Sequence, residues 1–288
     1  MTLLADRRWA RDEVARLDPE RDNERIAHLT AEVRYGDPLL VALLYTVAFC
    51  RQMAVPSIAR VVHRGGASPI MVATRKRNDD TLMLFGEFMR SGHSSPRGRA
   101  AITRMNEIHA RFPIDQDQML YTLASLTFEQ ERIPRGLGLD PLSETEKLAN
   151  FYFWREVGRL AGIEQRPETY EAYWEWTRSY EASHWGYSDG GRAVVDAMIA
   201  DFVSRVPRAL ARPARGLLLA AMEDDLLDVF GLEHPDAAVR KLARALVAGY
   251  FRGRALLPDP GERSWAEAFG RAYPPQPDLS QVGFSPRG

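Results

Sequence analysis

The clearest periodic pattern in the chain lies between Ser95 and Pro113. Apolar residues recur there at steps of three and four, on one stripe of a helix: Ile102, Met105, Ile108 and Phe112. Ser95 can cap this helix, Pro96 suits its first position and Pro113 ends it. His109 follows Met105 by four residues and falls on the same stripe. The pattern therefore predicts a buried imidazole that points into the interior.

Similar patterns predict helices along most of the chain. They cover residues 7–17, 39–50, 57–63, 75–92, 116–130, 144–162, 167–183, 193–204, 215–229 and 236–251. Asp115 with Gln118, and Ser143 with Glu146, have the spacing of capping boxes. No run of alternating β-branched residues competes with these patterns. We therefore expect an all-α fold, with a single multi-helix domain over residues 1–272 and an extended or mobile proline-rich tail over residues 273–288.

Composition argues against several kinds of partner, metal site and location. The 38 basic and 39 acidic side chains nearly cancel, so no strong positive stripe for nucleic acid is expected. Cys50 is the one cysteine, which excludes a disulfide or a multi-cysteine metal site within the chain, and we expect a packed thiol. The longest apolar run, residues 39–50, is shorter than the roughly 20 residues of a spanning helix. No signal-peptide pattern is present at the N-terminus, so a cytoplasmic protein without a membrane span is expected.

Each candidate residue also has an ordinary structural interpretation. A single histidine on an apolar face is more often a hydrogen-bonded core residue than a ligand. Arg77 opens a helix face that continues with Thr81 and Phe85, and by itself it would be expected to reach solvent. Aromatic residues over 151–154 and 170–176 at helical spacing favour plain core, and His184 is expected in a loop. The common phosphate-loop, hydrolase and CxxC signatures are absent.

Three segments, taken in order, resemble the rubber oxygenase superfamily, which includes the bacterial latex clearing proteins and a fungal oxygenase that cleaves the prenyl chain in mycophenolic acid biosynthesis. The first is AVPSIARVVHRGG (54–66) followed by RKRNDDTLMLFGEFMRSG (75–92). The second is RMNEIHARFPIDQDQMLYTL (104–123), which is similar to the family's histidine helix. The third is PLSETEKLANFYFWREVGRLAGI (141–163) with RPETYEAYWEW (166–176).

This resemblance implies an all-helical protein that encloses one b-type haem, with His109 as the axial ligand of the iron. The matching distal positions are Arg77 and Thr81, the candidate catalytic pair. Further side chains are expected to line the cofactor: Met105, Phe85, Phe112 and Thr122. Two positions depart from the family pattern, since Asp80 stands where latex clearing proteins carry a lysine, and the apolar Val61–Val62 region stands where they carry a glutamate. Asp80 is expected in an early helical turn where it satisfies backbone donors, and Lys76 on a different face from Arg77.

The function that follows is a haem-dependent oxygenase that acts with dioxygen on an apolar small molecule, such as an isoprenoid or another secondary metabolite. Two alternatives remain open at this point. One is a haem-binding protein without oxygenase turnover, and the other is a helical lipid- or partner-binding module in which His109 is a core residue.

Overall fold

The starts of the helices are determined by local sequence. In a computed structural model, which describes residues 8–283, the Ser95 hydroxyl accepts a hydrogen bond from the Gly98 amide at 2.9 Å. Both predicted capping boxes, at Asp115 and at Ser143, are present. These caps satisfy amides that would otherwise lack a partner at the helix start. The predicted starts of these three helices are therefore confirmed.

The described residues form fifteen α-helices. They are α1 Trp9–Val14, α2 Asn23–Ala27, α3 Pro38–Met53, α4 Pro56–His63, α5 Pro69–Val72, α6 Thr74–Ser91, α7 Pro96–His109, α8 Gln116–Gly136, α9 Glu144–Leu160, α10 Tyr170–His184, α11 Asp189–Val203, α12 Ala211–Ala220, α13 Asp224–Phe230, α14 Ala237–Leu256 and α15 Ala266–Phe269. A π-helical segment, His28–Arg34, follows α2, and short 3-10 turns link other elements. No strand occurs between residues 8 and 283, so the all-α prediction is confirmed.

Helix α3 is the central element, and its apolar run is buried or half-buried from Leu40 to Cys50, as predicted, whereas Leu39 at its start is 47% exposed. It packs against α8 on one side and α11 on another, while α6 packs against α7 and α15. The predicted aromatic core is also present, because Phe151, Phe153 and Tyr173 are almost fully buried. Cys50 is buried among apolar side chains, and burial raises the pKa of its thiol. These contacts surround a cavity between α3, α4 and α6–α9.

Several predicted boundaries are wrong. Helix α7 ends at His109, so Phe112 lies in the turn after it and not on the helix. Helix α10 begins at Tyr170, where the Thr169 hydroxyl caps it, and His184 is its last residue and not part of a loop. The predicted helix 215–229 is two helices, α12 and α13, because the chain turns at residues 221–223.

The proline-rich segment after residue 272 packs against the helices, contrary to the sequence prediction. Leu279 and Val282 are buried. The side chains of Arg97 and Arg104 donate to the backbone carbonyls of Pro277 and Val282, each at 2.9 Å. Composition alone did not show that α7 would supply donors for this segment. The predictions for residues 1–7 and 284–288 lie outside the described residues.

Within residues 8–283, no single helix is both long and apolar enough to cross a bilayer. One bent pair, Asn23–Arg34 with Pro38–Met53 at 115°, passes that test jointly on length and composition.

Candidate functional site

A largely apolar cavity of about 410 Å³ lies beside α7. Every site residue predicted from the sequence contributes to its wall: Arg77, Thr81, Phe85, Met105, His109, Phe112 and Thr122. The structure thus brings together residues that are separated by up to 45 positions in the chain. The solvent-facing interpretation of Arg77 is wrong, because its side chain is half-buried at this cavity.

His109 occupies the carboxyl end of α7, and its ring faces the cavity. Neither ring nitrogen has a hydrogen-bond partner within the part of the chain that the structure describes. Burial, with the nearby charge of Arg77, lowers the pKa of His109 to about 4. The helix terminus would favour the protonated ring, but burial outweighs that effect. The imidazole is therefore neutral at physiological pH, with a nitrogen lone pair free to bind a ligand.

The other histidine side chains have different surroundings. His28, His93, His184 and His234 each have a hydrogen-bond partner. His63 is half-buried at the end of α4, as expected, but it does not line the cavity. His109 alone among the six combines an unpartnered ring with a position on the cavity wall.

Arg77 is held at the cavity by Tyr45, a residue that sequence reasoning missed. Its guanidinium donates to the Tyr45 hydroxyl and lies 4.5 Å from the centre of the Phe49 ring. Burial raises the pKa of Tyr45, although the positive charge of Arg77 opposes the shift. The phenol therefore remains protonated. Since a guanidinium has five N–H donors, Arg77 can bind Tyr45 and still offer donors to the cavity.

Thr81 has a narrower role than the sequence suggested. Its hydroxyl donates to the Arg77 carbonyl at 3.0 Å, one turn earlier on α6. In this arrangement the hydroxyl presents lone pairs to the cavity, because its one hydrogen is already engaged. Developing negative charge in the cavity would thus be stabilised by Arg77 and not by Thr81.

The position of Asp80 corrects two expectations. Asp80 is the seventh residue of α6 and is buried, so it does not satisfy backbone donors in the first turn. Its carboxylate accepts from Lys76 at 2.6 Å and from the Tyr273 hydroxyl at 2.7 Å. Lys76 also lines the cavity, although it was expected to face elsewhere. Burial lowers the pKa of Lys76, but its hydrogen bonds to Asp80 and Tyr273 raise it more, so the ammonium stays charged and engaged.

The remaining walls are apolar and shaped by aromatic packing. Phe85 packs edge-on against Trp154, with ring centres 5.9 Å apart, and Phe112 lies under the Arg64 guanidinium at 4.8 Å. Thr122 contributes a hydroxyl that makes no hydrogen bond to any described residue. Val61 and Val62 line the cavity, which confirms that no carboxylate occupies that position.

A second polar atom at the cavity has no partner. The Ser68 hydroxyl is buried, lines the cavity and makes no hydrogen bond, although Ser68 precedes α5 in a capping position. Buried polar groups are normally satisfied, so unpartnered atoms of His109 and Ser68 at one cavity are typical of a site that holds a polar ligand. No group of three or more His, Cys, Asp or Glu residues suited to a metal ion occurs between residues 8 and 283. An iron held by one histidine inside an apolar macrocycle fits these residues.

Comparison with known proteins agrees with this geometry. Residues 33–251 match the family model described as "ER-bound oxygenase mpaB/B'/Rubber oxygenase, catalytic domain". The chain is 25% identical over 158 residues to the ER-bound oxygenase mpaB of Penicillium roqueforti, a match that covers 53% of this chain and 52% of the relative. It is 23% identical over 218 residues to mpaB' of Penicillium brevicompactum, covering 70% of this chain and 51% of the relative. The chain thus spans about half the length of these curated relatives.

A solved structure of latex clearing protein in the closed state has the same fold. Its TM-score is 0.55 at 19% identity, and the alignment covers 91% of this chain and 76% of that one. The family model, which matches about three quarters of the chain, decides the assignment. This chain belongs to the family of ER-bound oxygenases mpaB/B' and rubber oxygenases, of which it carries the catalytic domain.

Proposed function

We propose that this chain is a haem b-dependent oxygenase that acts with dioxygen on an apolar small molecule, such as an isoprenoid or another secondary metabolite. The observation that carries the proposal is the neutral, unpartnered imidazole of His109 at the wall of an apolar cavity. Its relatives are named oxygenases, which supports the reaction class. Haem, when bound, would supply the activation of dioxygen.

Different residues of the chain would then bind the haem and stabilise charge on the oxygen substrate. His109 would hold the iron through one imidazole nitrogen, while Met105, Phe85, Phe112 and Thr122 would surround the macrocycle. Arg77 would orient and stabilise negative charge that develops on the oxygen substrate, because its guanidinium is fixed by Tyr45 and Phe49 and need not reorganise. The apolar walls would exclude water, which strengthens the effect of that charge.

The character of the substrate follows from the wall. Val61, Val62 and Ile70 provide apolar surface where no carboxylate stands. The Asp80 carboxylate also lines the cavity, but it is engaged by Lys76 and Tyr273. An apolar molecule can lie against these walls without leaving polar groups of its own unpaired. We do not expect nucleic acid as a partner, and we propose a cytoplasmic location for this chain, although its curated relatives are named ER-bound.

Two measurements distinguish this proposal from its alternatives. An absorption spectrum of the purified protein with a Soret band would exclude the helical module without haem. Oxygen consumption with a panel of apolar isoprenoid and polyketide substrates would then separate an oxygenase from a haem-binding protein without turnover. A protein that binds no haem when reconstituted would contradict the proposal.

We predict that the resting ferric protein has a mainly high-spin spectrum, with its sixth position open or occupied by water. The reason is that Lys76, a nearby amine, is charged and bound to Asp80 and Tyr273, and a protonated amine has no lone pair for iron. Lys76→Ala should therefore leave the spectrum unchanged. Asp80→Lys is the positive control, because it places an amine at the position of the family's lysine and should shift the spectrum toward low spin. A wild-type low-spin spectrum that Lys76→Ala converts to high spin would contradict this assignment of Lys76.

A further inference from the structure

Helix α14 is unusual because only one narrow face of it meets the rest of the protein. Ala243 is its one buried residue, and Val239 and Val247 are partly buried beside it. The helix packs against α12, and Tyr250 and Phe251 near its carboxyl end contact the ring of Tyr35. The other faces of this helix, more than five turns long, are exposed to solvent.

Large apolar side chains occupy one of the exposed faces. Leu242, Leu246 and Leu256 are 49%, 51% and 80% exposed. At 100° per residue these three side chains fall within an arc of about 80°, and Ala245 and Gly249 lie within or beside the same arc. Single exposed leucines are ordinary, but three on one arc of one helix form a patch. The patch lies beside the packed face, with Leu242 about 100° around the helix from Ala243, and the rest of the chain leaves its leucines exposed.

The charges along α14 all have one sign. No Asp or Glu occurs from residue 237 to residue 258, while five basic side chains do. Arg240 is paired with Asp224, and Arg254 donates to the Arg34 carbonyl. The other three, Lys241, Arg244 and Arg252, are exposed and have no hydrogen bond or ion pair with any residue from 8 to 283. In a chain whose net charge is only −1, this is a local concentration of free cations.

From these observations we infer that α14 docks on the surface of an anionic lipid bilayer. The exposed leucines enter the boundary between headgroups and acyl chains. Lys241 and Arg252, which fall about 100° and about 80° around the helix from Leu242 on the side away from Ala243, lie against lipid phosphates and carboxylates. Arg244 falls about 160° from Leu242 and points away from the bilayer. Apolar residues on one arc with cations beside it are the features that hold a helix in the plane of an interface. The inference concerns a surface outside the cavity and does not rest on the proposed oxygenase function.

Charge favours a lipid surface over a second copy of the chain. A twofold contact through this patch would place the same unpaired cations of two copies opposite one another, which costs free energy. An anionic bilayer instead supplies counter-charges over its whole surface. Docking would also hold the start of α3 near the membrane. Tyr250 on α14 donates at 2.5 Å to the carboxylate of Asp37, the residue immediately before α3.

The test is flotation of the purified full chain with vesicles of phosphatidylcholine alone, or of phosphatidylcholine with a minority of phosphatidylserine. We expect binding to the anionic vesicles, weakened by salt. The variant Lys241→Glu/Arg252→Glu should lower partition by roughly 25-fold, since each basic side chain near such a surface contributes roughly a fivefold effect. Leu242→Ser/Leu246→Ser should lower it by roughly tenfold.

Matched controls exclude general effects of charge or exposed apolar surface. Arg16→Glu/Arg60→Glu changes the net charge by the same amount at exposed arginines outside α14, and Tyr187→Ser removes another exposed large side chain. Both should bind vesicles like the wild type. Unaltered circular dichroism would show that each variant is folded. The inference is overturned by absence of binding to anionic vesicles, by equal losses in the controls, or by sedimentation showing a dimer that the leucine variant dissociates.

Discussion

Replacing His109 with alanine is expected to abolish stoichiometric haem binding while leaving the helical fold intact. Its imidazole makes no hydrogen bond to any described residue, so its removal leaves no buried group unpaired. The loss of an axial ligand, by contrast, removes the one protein bond to the iron that the site offers. We expect the haem content, measured by the Soret absorbance per protein, to fall by about tenfold or more. Far-ultraviolet circular dichroism should remain close to wild type.

Two controls make this result specific. His63→Ala removes the other histidine that makes no hydrogen bond within residues 8–283. His63 lies outside the cavity wall, so this variant should retain haem. His109→Gly leaves room for free imidazole, which should restore the Soret band when added to the variant. A normal Soret band in His109→Ala without imidazole would exclude this residue as the ligand. If His63→Ala lost haem while its helical content stayed at the wild-type level, the axial ligand would be assigned to His63 and not to His109.

The central part of the site was predictable because its signals are local. The apolar stripe of α7, the cap at Ser95 and the step from Met105 to His109 depend on residues within one helix. Arg77 and Thr81 likewise share one helix, α6. The family resemblance indicated that α6 and α7 contribute to the same site. The sequence therefore predicted seven of the residues that line the cavity, although it did not predict that Thr81 donates its hydrogen to the Arg77 carbonyl.

Apart from helix boundaries, several errors concern contacts between residues that are distant in the chain. Tyr45 reaches Arg77 from α3, and Tyr273 reaches Asp80 across 193 positions. Neither partnership leaves a periodic signal, because each depends on how whole helices pack. The segment after residue 272 was misjudged for the same reason. Its composition offers little to bury, but Arg97 and Arg104 on α7 bind its carbonyl groups.

Replacing Arg77 with alanine is expected to lower oxygenase turnover by roughly 100-fold to 1,000-fold while the haem content stays near that of wild type. Arg77 is a cavity residue with a positive charge and an orientation fixed by Tyr45 and Phe49, and it has N–H donors left for the cavity. Haem retention should depend instead on His109 and the apolar walls. Oxygen consumption with an accepted substrate measures the first quantity, and the Soret absorbance measures the second.

A second readout does not require the substrate. An anionic ligand of the ferric protein, such as cyanide or azide, should bind Arg77→Ala roughly 10-fold to 100-fold more weakly, because a charge-assisted hydrogen bond is lost. The neutral ligand imidazole should bind with little change. Equal weakening of both ligands would indicate a distorted cavity and would contradict an electrostatic role.

Two further variants separate the charge of Arg77 from its structural contacts. Tyr45→Phe removes the hydroxyl that accepts from Arg77 but keeps the ring and the cation. If Arg77 acted only by anchoring Tyr45, this variant would lose as much turnover as Arg77→Ala. We expect a clearly smaller loss, because the guanidinium remains in the cavity. Thr81→Val should also have a small effect, since the Thr81 hydroxyl already donates to the Arg77 carbonyl and has no hydrogen left for the oxygen substrate. Turnover that falls as far in Thr81→Val as in Arg77→Ala would mean that this hydroxyl changes its partner when the site is occupied.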